Sequence, residues 1–252
     1  PMAQRYSVTV VSGAGKAQIV IGLDGEVRNH KAKYYSPGQF PLIDQTGLKL
    51  SRIQTIHADA ERLQVVLQAR SSNLRSAAIA RVTQTGGPTL DRGSSTDDGR
   101  AVAVFHLDCA QHPGQTFTFE KLIALAADLE GFEEAAVDAQ DVFAKCAGLS
   151  YPAALAQHES EMARFWETAD VQIDGDDFAQ LSVRYAIWTT RIGASLDDGA
   201  SSVGAKNLSG DWYRGAVFWD MEMFQLPMLC AIDPPRARNH VLYRARRLDS
   251  AR

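Results

Sequence analysis

The sequence is short of the residue types that announce most specialised chemistries. It has three cysteines, Cys109, Cys146 and Cys230. Their odd number, their wide separation and the lack of any CxxC pair argue against a disulfide framework and a thiolate metal site. The six histidines, His30, His57, His106, His112, His158 and His240, contain no HxxxH or HExxH spacing. Each reads as a structural or exposed side chain, so no metal is expected. No apolar run approaches the ~20 residues that a membrane-spanning helix needs. The opening PMAQRYSVTV lacks the basic segment and apolar core of a secretory signal. Together these readings favour a reducing, cytoplasmic compartment and no membrane partner. Positive charge is not in excess either: 26 Lys and Arg stand against 30 Asp and Glu, a net −4. Nothing in that balance draws the chain to a polyanion, so no nucleic-acid partner is expected. The arginines near the C-terminus, Arg236, Arg238, Arg244, Arg246 and Arg247, read as a solvated helix face.

What remains is an ordinary globular composition. The 252 residues, 45% apolar and 22% charged, suffice for one large or two modest cores. The first half reads as β structure, with strand-like runs at Tyr6–Val11, Lys16–Leu23, Leu48–His57, Arg62–Ala69, Ala77–Thr83, Ala101–Leu107 and Thr116–Ala126. Asp24-Gly25 suits a tight turn, because glycine tolerates positive φ. Gly86–Gly99, dense in Gly, Ser and Asp, reads as a surface loop. Asn29–Asp44 shows no period and is not assigned. Many strands with no helix alternating between them point to an antiparallel sandwich or barrel.

The second half changes to helical spacing. Phe132–Ala147 forms one helix, and Ser150 caps the next, which runs through Phe165-Trp166 with Pro152 in its first turn. A third carries Phe178, Leu181, Tyr185, Trp188 and Ile192 three or four apart, an apolar stripe on one face. Ser195–Asp211 reads as a loop, Phe218–Cys230 as a helix bent at Pro227, and a last helix starts near Pro235 after Asp233.

The densest run of functional residue types is Ala205–Glu222, AKNLSGDWYRGAVFWDME. Sugar sites use this mixture: aromatic rings cover the C–H faces of a pyranose, and carboxylates accept from vicinal hydroxyls. Trp219 beside Asp220 supplies both to one ring. Packing is the competing reading, since Phe218, Met221 and Phe224 offer Trp219 an apolar face. Asp220 and Glu222 could equally serve a helix dipole. As a catalytic acid–base pair those two carboxylates are rejected, because positions two apart on a helix point about 200° apart.

This run resembles the glycoside hydrolase family 65 stretch AKGLTGEGYRGHxFWDTE. Ala205-Lys206, Leu208, Gly210, Tyr213-Arg214-Gly215, Phe218-Trp219-Asp220 and Glu222 match it in order. Ala237-Arg238-Asn239, Tyr243-Arg244, Leu248 and Ala251-Arg252 resemble a second family block, ARNLLxYRYxxLxxAR. The resemblance implies an α+β multidomain chain: a partial antiparallel β-sandwich over 1–129, a helical linker over 130–169, and the first helices of an (α/α)6 catalytic barrel over 170–252. It further implies inverting cleavage of an α-glucosidic bond in an α-linked glucose disaccharide. Inorganic phosphate is the co-substrate in the family's phosphorylases, giving β-glucose 1-phosphate, and water takes its place in the hydrolases. Trp219 and Asp220 then hold the glucosyl unit, with Tyr213, Arg214 and Glu222 in support, and no cofactor is called for. No catalytic residue is assigned here: the general acid, a Glu, is expected beyond Arg252, so that both ends read as truncated and the chain alone as inactive. A homodimer of the full-length parent is compatible with the resemblance. Trp212, Ala216 and Met221 depart from the pattern where it has Gly, His and Thr, which leaves linkage and aglycone open. A trehalase-like hydrolase and a non-catalytic carbohydrate-binding sandwich stay as alternatives.

Overall fold

The computed structural model describes residues 1–28, 51–70, 74–127, 135–196, 199–208 and 217–249, the side chains of 135–138 excepted. Among them are eight strands: β1 (Met2–Thr9), β2 (Lys16–Asp24), β3 (Ser51–Ala58), β4 (Leu63–Ala69), β5 (Arg75–Gly86), β6 (Asp91–Asp97), β7 (Arg100–Asp108) and β8 (Thr116–Ala127). Five α-helices follow: α1 (Ala135–Cys146), α2 (Tyr151–Ala169), α3 (Asp177–Gly193), α4 (Leu226–Ile232) and α5 (Pro234–Arg246). The described residues fall into two compact units, drawn from Pro1–Arg28 with Leu48–His158, and from Glu159–Arg252.

The first unit is an antiparallel β-sandwich. One sheet has the order β1-β8-β5-β4-β3 and the other β2-β7-β6. Period-two alternation decides which side chains enter the core. Along β7, Ala101, Ala103, Phe105 and Leu107 point inward and meet Leu63, Val65, Val82, Phe117 and Phe119 from the larger sheet. The Phe105 and Phe119 rings lie 4.7 Å apart at 53°, a tilted pair. β4 is buried on both faces because it is covered on both: Val66, flanked on its face by Gln64 and Gln68, joins Ala77 and Ile79 beneath Ala139 and Phe143 of α1. Glu120 of β8 accepts from Arg5 at 2.7 Å and from the Tyr151 backbone at 3.1 Å, and Arg5 lies over the Tyr151 ring. The start of α2 is thereby tied to β1 and β8. Ser150 caps it as the sequence suggests, its Oγ accepting from the Ala153 N–H.

Two expectations need correction here. Gly86–Gly99 is not all loop: Asp91–Asp97 forms β6, paired with β7 from Asp91 opposite His106 to Asp97 opposite Arg100. Its side chains are mostly exposed at the edge of the sheet, so no apolar alternation marked it. Backbone pairing with β7 creates the strand, and the turn is Asp98-Gly99, both at positive φ. Asp24-Gly25, in contrast, makes no positive-φ turn. Gly25 is needed for close approach: its N–H donates to the Gly99 carbonyl, and an added Cβ would press on Ile53 and Val65.

The second unit is helical. Phe165 and Ala169 of α2 pack on Ile187 of α3, joined by Val183, Met228 and Ile232. Met221, Leu229 and Ala237 form a neighbouring cluster with Ala194 and Val203. The face of α3 that packs is therefore not the predicted stripe: Phe178, Leu181, Tyr185, Trp188 and Ile192 are exposed. Asp176 caps α3 through the Ala179 N–H, and Asp233 caps α5 through that of Arg236. The unassigned stretch Asn29–Asp44 lies outside the described residues.

Candidate functional site

The sequence places its chemistry between α3 and α4, and the structure shows how that stretch is held. Gly193 closes α3 where the Asn207 carboxamide presses in so tightly that a Cβ would collide with it. Asn207 donates to the Thr189 carbonyl at 2.7 Å and accepts from the Leu208 N–H at 2.8 Å. It adopts φ +53°, a left-handed conformation that Asn tolerates, at the position where the family pattern has Gly. Tyr213 and Arg214, together with Asp211, Trp212 and Ala216, lie outside the described residues.

From Val217 the chain leads into a π-helical turn, Met221–Gln225, ahead of α4. The Leu226 N–H reaches back five residues to the Met221 carbonyl. Pro227 gives the reason: it has no N–H to offer the Met223 carbonyl and its ring would crowd that group, so the turn widens. The bend expected at Pro227 thus takes the form of this wide turn. Met221 anchors the turn in the core, fully buried. Trp219, on the other hand, is not packing: its side chain is 64% exposed, and Phe224, 68% exposed, sits with its ring centroid 6.3 Å away at 39°. In a regular α-helix residues five apart would face about 140° apart. The wide turn brings them together as an exposed aromatic surface.

The two carboxylates of the motif have different circumstances. Glu222 is engaged at both oxygens: Arg244 of α5 donates from Nε to Oε1 at 2.6 Å and from Nη2 to Oε2 at 3.0 Å. The Arg244 hydrogen bonds hold the Glu222 carboxyl below its usual range against the opposing effect of partial burial, and Glu222 in turn raises the Arg244 guanidinium. Asp220, partly buried at the head of the turn, makes no hydrogen bond or ion pair among the described residues, and no side-chain cap bond. Of the two, it is the carboxylate without a protein partner among the described residues.

The second motif block explains how the stretch is anchored; Arg238, Arg244, Arg246 and Arg247 are exposed, in keeping with a solvated helix face, but three of the five C-terminal arginines also hold backbone carbonyls. Arg236 donates to the Ala194 carbonyl, Asn239 to those of Ser195 and Leu196, and Arg247 to that of Ala200. Arg244 adds the Phe218 carbonyl at 2.9 Å. Only Arg238 and Arg246 of the five carry no such contact among the described residues. Helical spacing alone could not reveal this, because the acceptors are backbone carbonyls distant in sequence. The matching order of the two blocks was the available signal.

A cleft of about 1120 Å³ lies elsewhere, within the sandwich unit between β1 and β2. Lys121, half-buried and lowered in pKa by that burial, donates there to the Gly22 carbonyl. None of the motif residues lines it. Among the described residues no three His, Cys, Asp or Glu side chains are grouped to hold a metal, and no helix is long and apolar enough to cross a membrane.

Comparison with known proteins agrees with both halves. Residues 2–165 match the glycosyl hydrolase family 65 N-terminal domain, and residues 184–252 match the family 65 central catalytic domain. A kojibiose phosphorylase of Halothermothrix orenii is 25% identical over 257 residues, covering 98% of this chain and 31% of that protein. An α,α-trehalose phosphorylase of Thermoanaerobacter brockii is 27% identical over 263 residues, again 98% of this chain and 31% of that protein. Identity rises to 39% over 98 residues with a kojibiose phosphorylase of Caldanaerobacter subterraneus subsp. tengcongensis, which covers 39% of this chain and 13% of that protein. A solved human-microbiome protein, provisionally described as a kojibiose phosphorylase, superposes with a TM-score of 0.75 at 16% identity over 96% of this chain and 30% of that one. The chain thus spans about a third or less of the length of these relatives.

Proposed function

Since the chain belongs to glycosyl hydrolase family 65, we propose that Trp219 and Asp220 hold the glucosyl unit of an α-linked glucose disaccharide for cleavage by phosphate. The observation that carries this reading is their pairing: a largely exposed indole beside a carboxylate that no protein group among the described residues occupies. The indole covers one face of the pyranose, and the carboxylate accepts from two neighbouring hydroxyls. Tyr213 and Arg214, which match the motif, are assigned a supporting part in the same binding. In this reading α3, α4 and α5 open an (α/α)6 barrel, and 1–129 and 130–169 are its sandwich and linker.

The reaction is an inverting displacement. A phosphate oxygen attacks the anomeric carbon from the face opposite the leaving oxygen. The glycosidic C–O bond breaks, and a carboxylic acid protonates the departing sugar, leaving β-glucose 1-phosphate. Phosphate is the co-substrate and no resident cofactor takes part. Glu222 does not serve as that acid, because both of its oxygens are committed to Arg244. In this reading the motif residues contribute binding and not the proton. Phosphorolysis is preferred to hydrolysis because the relatives named above are phosphorylases.

The test is a titration of the chain with glucose, kojibiose and trehalose, followed at the Trp219 indole N–H resonance assigned with Trp219→Phe. Glucose is expected to move that resonance, and Asp220→Ala to abolish the effect. No movement up to about 100 mM, where a binding free energy of only about 1.4 kcal/mol would register, removes Trp219 and Asp220 from a sugar site. Phosphate-dependent glucose release from kojibiose or trehalose should stay at background; clear turnover would put the acid within this chain.

A further inference from the structure

The segment carrying Trp219 and Asp220 is gripped from α5 by one side chain. Arg244 meets both oxygens of Glu222 at 2.6 and 3.0 Å, and its Nη2 also reaches the Phe218 carbonyl at 2.9 Å. Phe218 and Glu222 are the residues that bracket the Trp219-Asp220 pair. A single planar guanidinium therefore bridges the backbone just before the pair and the side chain just after it, a reach that its fork of donors supplies.

This grip acts on a turn that Met221 anchors in the core on one side while its other face is open. The π-helical turn lacks a side-chain cap at Asp220, and Pro227 removes a donor just beyond it. Phe218, Trp219, Met223 and Phe224 are all exposed and so contribute little burial to hold it. The Arg244 side chain is itself 41% exposed, and a pair so placed adds little to global stability. Its hydrogen bonds act on geometry: they set where the 218–222 backbone lies relative to α5, and hence where the indole and the free carboxylate point.

We infer that Arg244 is the positioning residue of the sugar-holding pair, acting through Glu222 and the Phe218 carbonyl without touching sugar itself. This rests on the reading of Trp219 and Asp220 as glucosyl contacts, and it assigns to Glu222 the part of a tether. A lysine at 244 would keep the charge but not the geometry, because its compact ammonium lacks the planar fork that meets both carboxylate oxygens and the carbonyl in one plane.

The experiment compares the chain with Arg244→Gln, Arg244→Lys and Glu222→Gln by two-dimensional NMR. Trp166 lies in the packed helical cluster and reports whether the unit is folded. With the Trp166 indole unmoved, Arg244→Gln is expected to shift the Trp219 indole and to speed exchange of the Met223 and Leu226 amides, which bond to Trp219 and Met221, by about tenfold, the scale of one charge-assisted bond lost. Arg244→Lys, which keeps the charge, should leave thermal stability within about 0.5 kcal/mol of the unaltered chain, about twofold in the folding equilibrium, without restoring the Trp219 position, a split that a purely structural ion pair would not produce. An unchanged Trp219 indole with unchanged amide exchange in Arg244→Gln overturns the inference. Should that variant unfold, Glu222→Gln decides in the same way, through movement or constancy of the Trp219 indole. A glucose titration of the unaltered chain is read separately. A silent titration with a displaced indole in Arg244→Gln sinks the sugar reading and leaves the positioning; normal glucose binding by Arg244→Gln, with affinity within about twofold of the unaltered chain, does the reverse.

Discussion

Replacing Asp233 tests whether the frame behind the motif is as electrostatic as its geometry indicates. Asp233 sits between α4 and α5 with its side chain 10% exposed, and its Oδ2 lies 2.5 Å from Arg236 Nη1 and 3.3 Å from Arg191 Nε. Its Oδ1 also caps α5 by a long bond to the Arg236 N–H. Asp233→Ala removes a cap worth about 0.5 kcal/mol at this length and leaves two largely buried guanidiniums without their counter-charge. Breaking such a pair costs about 3–5 kcal/mol. The low end applies, because Arg191 still lies 4.3 Å over the Phe165 ring and Arg236 still reaches the Ala194 carbonyl. The expected loss is therefore about 3 kcal/mol, and about 2 kcal/mol for Asp233→Asn, which keeps an acceptor for the cap. All four tryptophans, Trp166, Trp188, Trp212 and Trp219, lie in the helical half. Urea unfolding followed by tryptophan fluorescence thus reports that unit alone. If Asp233→Asn unfolds within about 0.5 kcal/mol of the unaltered chain, the ion pairs do not hold the frame and the reasoning fails.

Three further outcomes bear on the sandwich. Phe105→Ala should cost about 3–5 kcal/mol, because Phe105 is fully buried against Phe119 between the sheets; loss of the β-sheet circular dichroism at lower urea is the readout. Gly99→Ala should destabilise by more than about 1 kcal/mol, since Gly99 has φ +75° and an added Cβ would run into the Glu26 side chain. The third concerns pH: Asp59 is lowered to about 2 by the His57 hydrogen bond and by the Glu61 and Arg62 backbone N–H groups. A depressed carboxylate stabilises the fold above its unfolded pKa and loses that contribution as pH falls through its folded value. Exchange at the Glu61 and Arg62 amides should therefore show extra deprotection between about pH 4 and pH 2; the effect should shrink with salt, because Asp59 is exposed.

The strands that alternate apolar and polar residues were legible because half their side chains face a core, as along Ala101–Leu107. So were α2 with its Ser150 cap, the existence of α3, and the motif order that carries Trp219 and Asp220. These features rest on local chemistry: side-chain period, turn residues and capping are written into neighbouring positions. β6 was not legible, since its polar edge residues become a strand only when β7 offers them a ladder. Which face of α3 packs was equally hidden, for the more apolar stripe is the exposed one and Val183 and Ile187 make the contact instead. Which of two carboxylates two residues apart is tied to a protein partner was decided by a guanidinium 22 residues downstream of Glu222. Sequence supplied the candidates; tertiary contact chose between them, because a hydrogen-bonding partner far along the chain has no signature in the local pattern.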